Sequence, residues 1–538
     1  MYVQELEPVH GSLGLSALVA ALPLVIVLVL LGGVRVKAHR AGLVGLLAAV
    51  LVAWLAYGMP LGQTLSGGVQ GAAFGLFPIL WIVVNALWVY RMTVRTRHFD
   101  VLRRSFGRLS DDPRVQALVV AFCFGALLEA LAGFGAPVAI CSVMLVALGF
   151  DPVRAAVVSL VANTAPVAFG AMGTPVVTLA QVTGLPLDDV ASVVGRQTPL
   201  LALIVPLLLV GLVDGRRGLR ETWVPALVCG AAFAAAQFAA SNYVSAQLAD
   251  IAAALVGAGA LVAVPHARRP AGEPVRASVL TGVRAEGLDA RDPVREVARA
   301  YAPYALIVVV FSVAQLPAVK DRLAGATRTY DWPFLDVVSA DGERVGGNVF
   351  TWPVVATGGT LVLFAGMVTA FAIGVHARMA VKEWLATVRE LRFALLTVTS
   401  VLALAHVMNL SGQAATIGHF VAAAGAGLAF LSPVLGWFGV AVSGSDTSAN
   451  ALFGALQVTA ARESGLSPEL LAAANSSGGV LGKMISPQNL TIACAAVGLA
   501  GREGDLLRTV LPWSLGLLLV MCLIVVGQSS PVLGWTLP

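Results

Sequence analysis

The chain has 538 residues, 58% of them hydrophobic and only 12% charged, about half the charged share of an ordinary soluble protein. Its mean hydropathy of +0.87 means more apolar surface than a water-soluble globule can hide, which excludes a cytosolic enzyme, a nucleic-acid binder and a disordered scaffold. The net charge of +5 reads as membrane topology rather than as a polyanion partner.

A spanning helix takes about 20 apolar residues. In chain order, apolar stretches cover 13–33, 41–58, 68–90, 115–149, 153–184, 197–213, 222–240, 247–265, 302–318, 353–377, 393–431, 433–457, 468–500 and 509–528. Several hold two segments, so the sequence predicts an all-α polytopic membrane protein of about 12–14 membrane segments, some of them broken. Nearly all of 1–538 is one transporter-like unit, with 56 glycines and 27 prolines of the kind membrane helices tolerate. The first stretch follows Glu5 and Glu7 instead of a positive region and reads as a retained helix, not a signal peptide. Cys123, Cys141, Cys229, Cys494 and Cys522 all sit in apolar stretches without metal-ligand spacing and read as small buried hydrophobes. No metal site is expected.

Basic residues mark cytoplasmic loops. Arg35, Lys37 and Arg40 lie in 33–40, seven arginines in 91–114, Arg216, Arg217 and Arg220 in 214–221, seven arginines in 266–300, and Arg378, Lys382, Arg389 and Arg392 in 378–392. These loops are assigned inside, although their arginines can also bind anionic lipid. Loops 59–67 and 241–246 carry no Lys or Arg and are assigned outside. Segment 319–352 mixes signs, holds Trp332 and Trp352, and reads as an external loop. Both termini then fall outside.

Two regions depart from plain apolar helix. The first is Leu128-Glu129-Ala130-Leu131-Ala132-Gly133-Phe134-Gly135-Ala136-Pro137, followed by Asn163-Thr164-Ala165-Pro166 and Gly173-Thr174-Pro175. The second is Ser443-Gly444-Ser445-Asp446-Thr447-Ser448-Ala449-Asn450, followed by Asn475-Ser476-Ser477-Gly478-Gly479 and Ile485-Ser486-Pro487-Gln488-Asn489. A shift of 312 places Ala162 on Ala474, Asn163 on Asn475, Thr164 on Ser476, Gly170 on Gly482, Met172 on Met484, Thr174 on Ser486 and Pro175 on Pro487. A shift of 311 places Gly125 on Gly436 and Gly133 on Gly444. The chain therefore reads as two repeats, with cores at 68–214 and 353–528. Paired interrupted helices are the usual sequence pointer to a transporter's midplane site. Kinks packed through small residues explain the glycines well, but Glu129, Asp446 and Lys483 poorly.

Ionisable groups at membrane depth are costly and usually functional. The chain has four lysines against thirty arginines, and Lys483 alone of the four lies in a membrane stretch. Lysine is a compact point charge, suited to pairing with Asp446 or Glu129 or to attracting a small anion. Asp446 and Asn450 share a helical face among Ser443, Ser445, Thr447 and Ser448, a cluster able to hold a monocarboxylate. A carboxyl that binds a proton before the substrate is the minimal device for proton symport. Asp446 is the first candidate and Glu129 the equivalent in the first half. His406 and His419 flank a further break at Asn409–Gln413. A lone histidine can shuttle protons, which keeps His406 a coupling candidate, but a packing role is preferred for both. Thr174 and Ser486 read as N-caps with proline at the next position, aiming helix N-termini at an anion.

At these residues the sequence resembles the L-lactate permease family of bacterial inner-membrane transporters. The resemblance rests on Phe77-Pro78-Ile79-Leu80-Trp81-Ile82-Val83-Val84-Asn85-Ala86-Leu87, on Leu128–Pro137, on Ser443–Asn450 and on Lys483-Met484-Ile485-Ser486-Pro487-Gln488-Asn489, and covers essentially the full length. It implies inverted repeats with re-entrant hairpins in the bacterial plasma membrane, and proton-coupled uptake of lactate with glycolate as a related substrate. The expected substrate-binding set is Gly133, Gly135, Asn163, Thr164, Thr174, Ser443, Ser445, Thr447, Ser448, Asn450, Asn475, Ser476, Ser477, Lys483, Ser486, Gln488 and Asn489. Nothing beyond the co-transported proton is expected as a cofactor.

Three other readings stand beside it. A sodium-coupled dicarboxylate or citrate carrier would use Asn163-Thr164 for the cation. An intramembrane enzyme lacks support: the chain has no His-Glu-x-x-His, no Gly-x-Ser-x-Gly and no second aspartate placed as a dyad partner for Asp446. An anion channel would not need titratable groups at the breaks.

Overall fold

Hydrocarbon offers no water to unpaired N–H and C=O groups, so each apolar stretch closes its backbone on itself as helix. The computed structural model describes residues 1–537 except 35, 108, 111, 134, 265–291, 315, 340, 341, 343, 346 and 347. Most of the expected 266–300 loop and Phe134 of the first motif therefore lie outside the described residues. Among those described, ten helices are long and apolar enough to cross a membrane, and the pair Pro152–Ala162 and Val167–Thr183 is bent by 65° at its break, as in a broken span or a re-entrant loop. The 57-residue helix Leu187–Tyr243 is broken by non-helical backbone at Asp214 and Gly215, so it crosses twice. Shorter apolar helices run over Ala136–Ala147 and Gly358–Ala372. The sequence count of segments is reached only when these broken and short pieces are included. The chain is an all-α polytopic membrane protein.

Two faces follow from the ion pairs at helix ends. On one, Arg104 holds Asp292 at 2.6 Å, and Arg114 gathers Asp112 at 2.8 Å, Asp214 at 3.4 Å and Glu221 at 2.7 Å. On the other, Lys320 lies 4.0 Å from Asp188, and the Tyr2 hydroxyl donates to the carbonyls of Tyr57 and Ser411, both at 3.0 Å. Among the described residues the β-structure lies on this second face: Tyr2–Val3 pairs with Val337–Val338, and Arg328–Asp331 with Val349–Trp352.

The repeat is visible in the packing. The first hairpin joins Gly125–Ala132 to Ala136–Ala147, and the second joins Leu428–Ser443 to Asp446–Ser464. Each is followed by a broken helix: Pro152–Ala162 with Gly170–Thr183, and Pro468–Gly482 with Pro487–Ala496. The base of the first hairpin lies on the first face, where Arg154 donates to the Val213 carbonyl at 2.6 Å. The base of the second lies on the other, where His419 meets Glu463 at 3.3 Å and Thr416 donates to the Leu6 carbonyl. The two hairpins thus enter from opposite sides. Gly170–Thr183 packs on Asp446–Ser464, and its counterpart Pro487–Ala496 packs on Ala136–Ala147, the exchange expected of two inverted repeats. Small residues set the helix spacing: a side chain at Gly436 or Gly478 would strike the backbone of Asn475 or Pro433. All five cysteines are free and buried.

Candidate functional site

The second hairpin turns at Gly444, whose φ of 75° is left-handed and open to glycine without strain. Ser445 then caps the next helix, its hydroxyl accepting from the Ser448 N–H at 3.3 Å, as the Ser/Thr cluster predicts. Asp446 follows in the first turn, 3% exposed. Its Oδ2 accepts from the Ser476 hydroxyl at 2.7 Å and from the Asn450 amide at 3.5 Å, while its Oδ1 has no partner among the described residues. Behind it, Asn450 also donates to the Pro175 carbonyl at 3.1 Å, accepts from Asn475 at 2.9 Å, and Gln457 donates to Asn475 at 3.3 Å. Asn450 thereby ties the second hairpin to the first broken helix.

In the second break, Ser486 accepts from the Asn489 N–H at 3.3 Å with Pro487 beside it, the expected cap. Ser486 and Asn489 both donate to the Lys483 carbonyl at 2.9 Å, fixing the backbone that carries the lysine. Lys483 Nζ donates to Glu129 Oε1 at 2.6 Å, with side chains 8% and 3% exposed. Of the two partners left open by the sequence, the lysine takes Glu129. Glu129 Oε2 is left without a partner among the described residues.

The first break is built differently. Ala171, Met172 and Gly173 have φ of 45°, 59° and 73°. Left-handed backbone costs a non-glycine residue about 1–2 kcal/mol, so packing around Ala171 and Met172 holds a strained turn at the site. In this turn the Thr174 hydroxyl donates back to the Ala171 carbonyl at 2.5 Å. Thr174 is therefore not the side-chain cap the sequence predicts, because the coiled turn brings a carbonyl within its reach.

These pieces enclose a cavity of about 50 Å³ whose polar wall is Thr174, Ser445, Asp446, Thr447, Lys483 and Gln488. Ser445 and Gln488 also line a larger cleft of about 930 Å³, which includes Ser443 and Ser448 and reaches Lys37, His39 and Glu503. The cleft thus runs from the cavity toward the arginine-rich face.

The remaining expected residues sit around this centre. Asn450, Asn475 and Ser476 form the layer behind Asp446. Gly133 and Gly135 turn the first hairpin with φ of 36° and 85°, and a side chain at Gly135 would meet Ile492 and Asn489. Asn163, Thr164 and Ser477 are buried but line neither space, and Thr164 donates to the nearby Val161 carbonyl at 2.7 Å. His406 lies apart, its ring 5.5 Å from Phe74, and His419 sits on the second face with Glu463. Sequence reasoning passed over Asp250, which is 0% exposed. Its signal was available: it is the one acidic residue in the apolar stretch 247–265.

The L-lactate permease family model matches residues 16–530. The chain is 40% identical over 563 residues to the L-lactate permease of Bacillus subtilis (strain 168), covering 100% of each. It is 39% identical over 526 residues to the glycolate permease GlcA of Escherichia coli (strain K12), covering 94% of each. The solved structure of Neisseria gonorrhoeae MtrF, described within a class of antimetabolite efflux pumps, matches with a TM-score of 0.52 at 14% identity over 94% of this chain and 97% of that one, a likeness of fold alone. With the family model spanning nearly its whole length and relatives at this identity, the chain belongs to the L-lactate permease family.

Proposed function

We propose that the protein imports lactate, with glycolate as a second substrate, across the bacterial plasma membrane together with protons by alternating access. The observation that carries this reading is the placing of Asp446 and Lys483 in one wall of a small cavity between two inverted repeats. A cation there attracts a small anion, and the helix starts at Asp446 and Pro487 add backbone N–H groups and positive dipole ends. Thr174, Ser445, Thr447 and Gln488 supply hydroxyls and an amide for the substrate hydroxyl and carboxylate. A cavity this small suits a monocarboxylate.

A buried carboxylate already faces the substrate, so a second anion raises an uncompensated charge in a low-dielectric site. Proton uptake by Asp446, with Glu129 as the other candidate, removes it, and this couples the two fluxes. By the bias of arginine, the face holding Arg104, Arg114 and Arg216 is cytoplasmic. Both termini are then outside, and the cleft past Lys37 is the inward exit.

The test is uptake of labelled L-lactate into proteoliposomes under an imposed pH gradient, with and without sodium. Sodium-independent accumulation driven by the gradient supports the reading. No uptake, or uptake only with sodium, replaces it with a sodium-coupled carboxylate carrier.

A further inference from the structure

Asp250 stands in the first turn of the helix Ala249–Ala263 and is fully buried. Gln237 donates to its Oδ1 at 3.0 Å, and its Oδ2 has no partner among the described residues. Gln237 is itself oriented by the Ala165 carbonyl at 3.4 Å and the Thr198 hydroxyl at 3.4 Å, and Ala165 belongs to the first break. So large a polar construction is not needed to pack a helix end, where an apolar residue would serve at lower cost.

The surroundings give it a purpose. The helix Ala249–Ala263 packs against Gly125–Ala132, which carries Glu129, and Asp250 lies within electrostatic reach of both Glu129 and Lys483. Among the described residues, Glu129 and Lys483 are the charged groups whose fields reach Asp250. The helix Leu187–Tyr243 contributes neutral Gln237 and, further along, Cys229, whose sulfur lies 3.5 Å from that of Cys123. Ser245, at the second face, is five residues before Asp250 in the chain. Three carboxyls are buried in these elements: Glu129, paired with Lys483 at 2.6 Å, Asp446, which lines the same cavity as Lys483, and Asp250. Asp250 lies in the first turn of a helix that follows the 241–246 loop of the second face in the chain.

We propose that Asp250 is a proton-loading carboxyl that hands its proton to Glu129 and so releases Lys483 to the substrate. Resting on the symport reading above, the step runs as follows. Hydronium on the second face protonates the Asp250 carboxylate. The Asp250 O–H bond then breaks as its proton passes to an intervening water, which in turn gives a proton to Glu129, leaving Asp250 a carboxylate, Glu129 neutral and the water unchanged. Lys483 stays an ammonium, loses its ion-pair partner and turns its charge to the anion in the cavity. Asp250 acts through Glu129 and touches no substrate.

The experiment measures lactate accumulation and its dependence on external pH in proteoliposomes holding the full-length protein and its variants. Asp250→Asn is expected to lower the accumulation ratio about tenfold and to flatten the pH profile, and Asp250→Glu to restore the profile. A structural role alone would change the amount of active protein, not the shape of that profile. An Asp250→Asn protein with the parent's accumulation and profile overturns the proposal. Should Asp250→Asn fail to insert, Gln237→Met is read instead: a displaced midpoint supports the proposal, and an unchanged one overturns it. A parent that takes up no lactate overturns the functional reading itself, which separates the two failures.

Discussion

Lys483 Nζ lies 2.6 Å from Glu129 Oε1, an ammonium from the break of the second repeat against a carboxyl from the hairpin of the first. The pair therefore bridges the parts that must separate if the repeats move against each other. Removing one partner of a buried pair strands the other charge and costs about 3–5 kcal/mol, whereas removing both does not. Glu129→Ala and Lys483→Ala are each expected to lower stability by that amount, and the double variant by much less than the sum. Thermal unfolding in detergent, followed by tryptophan fluorescence, measures it. Additive losses would mean that the two groups do not interact.

A second prediction concerns pH at the arginine-rich face. Burial holds His98 below its usual value of 6.5, against the opposing pull of Glu296, whose carboxyl lies 3.6 Å away. The unfolded segment then binds the proton more readily than the folded one, so stability is lost as pH falls. The helix His98–Gly107 packs on Val294–Ala314, and its docking should be full above the unfolded value of 6.5 and weaken progressively below it. Amide exchange of residues 98–107, corrected for intrinsic rates and followed from about pH 7.5 to 5.5, should show rising opening. In His98→Gln the trend should vanish.

Glycine spacing gives a third. A Cβ at Gly479 would run into Asp446 Oδ1 and lie 2.8 Å from Val440, while one at Gly62 would meet open space. Both glycines are helical, and alanine is intrinsically the better helix former by about 1 kcal/mol. Gly62→Ala should be neutral or slightly stabilising with transport unchanged. Gly479→Ala displaces the Asp446 carboxyl, and misplacement of a reacting group by about 1 Å costs on the order of a hundredfold in rate. Initial rates of lactate uptake by the two variants check this. Equal rates would remove Asp446 from the transport step.

The sequence made the membrane class, the repeat and the central residues legible because each rests on local signals. Apolar runs of spanning length, a periodic match between breaks, and a solitary lysine need no tertiary information. Ser445 and Ser486 follow their capping chemistry because short-range hydrogen bonds decide it. Thr174 does not, because the left-handed turn before it is held by packing from other helices. The partner of Lys483 was beyond reach for the same reason: Glu129 and Asp446 are both plausible on chemistry, and only the crossing of the repeats selects between them. Asp250 was hidden by an apolar neighbourhood that looked like any other span.

The last prediction bears on the coupled proton itself. Asp446→Asn keeps an oxygen for the Ser476 hydroxyl, which now sits 2.7 Å from the carboxylate, but removes the group that can bind and release a proton. In proton symport without a membrane potential each unit of pH gradient supports a tenfold lactate gradient at equilibrium for every proton carried, since a tenfold ratio corresponds to about 1.4 kcal/mol. The parent should approach that ratio in proteoliposomes. The variant should not concentrate lactate at all, and lactate addition should no longer alkalinise the external medium, as read by a pH dye. Because the substitution conserves shape and hydrogen-bond acceptor, a loss confined to concentration against the gradient makes Asp446 an obligatory proton carrier beside Glu129. An Asp446→Asn protein that still accumulates lactate moves the coupling role to Glu129, the only other carboxyl paired with a group in the cavity wall among the described residues.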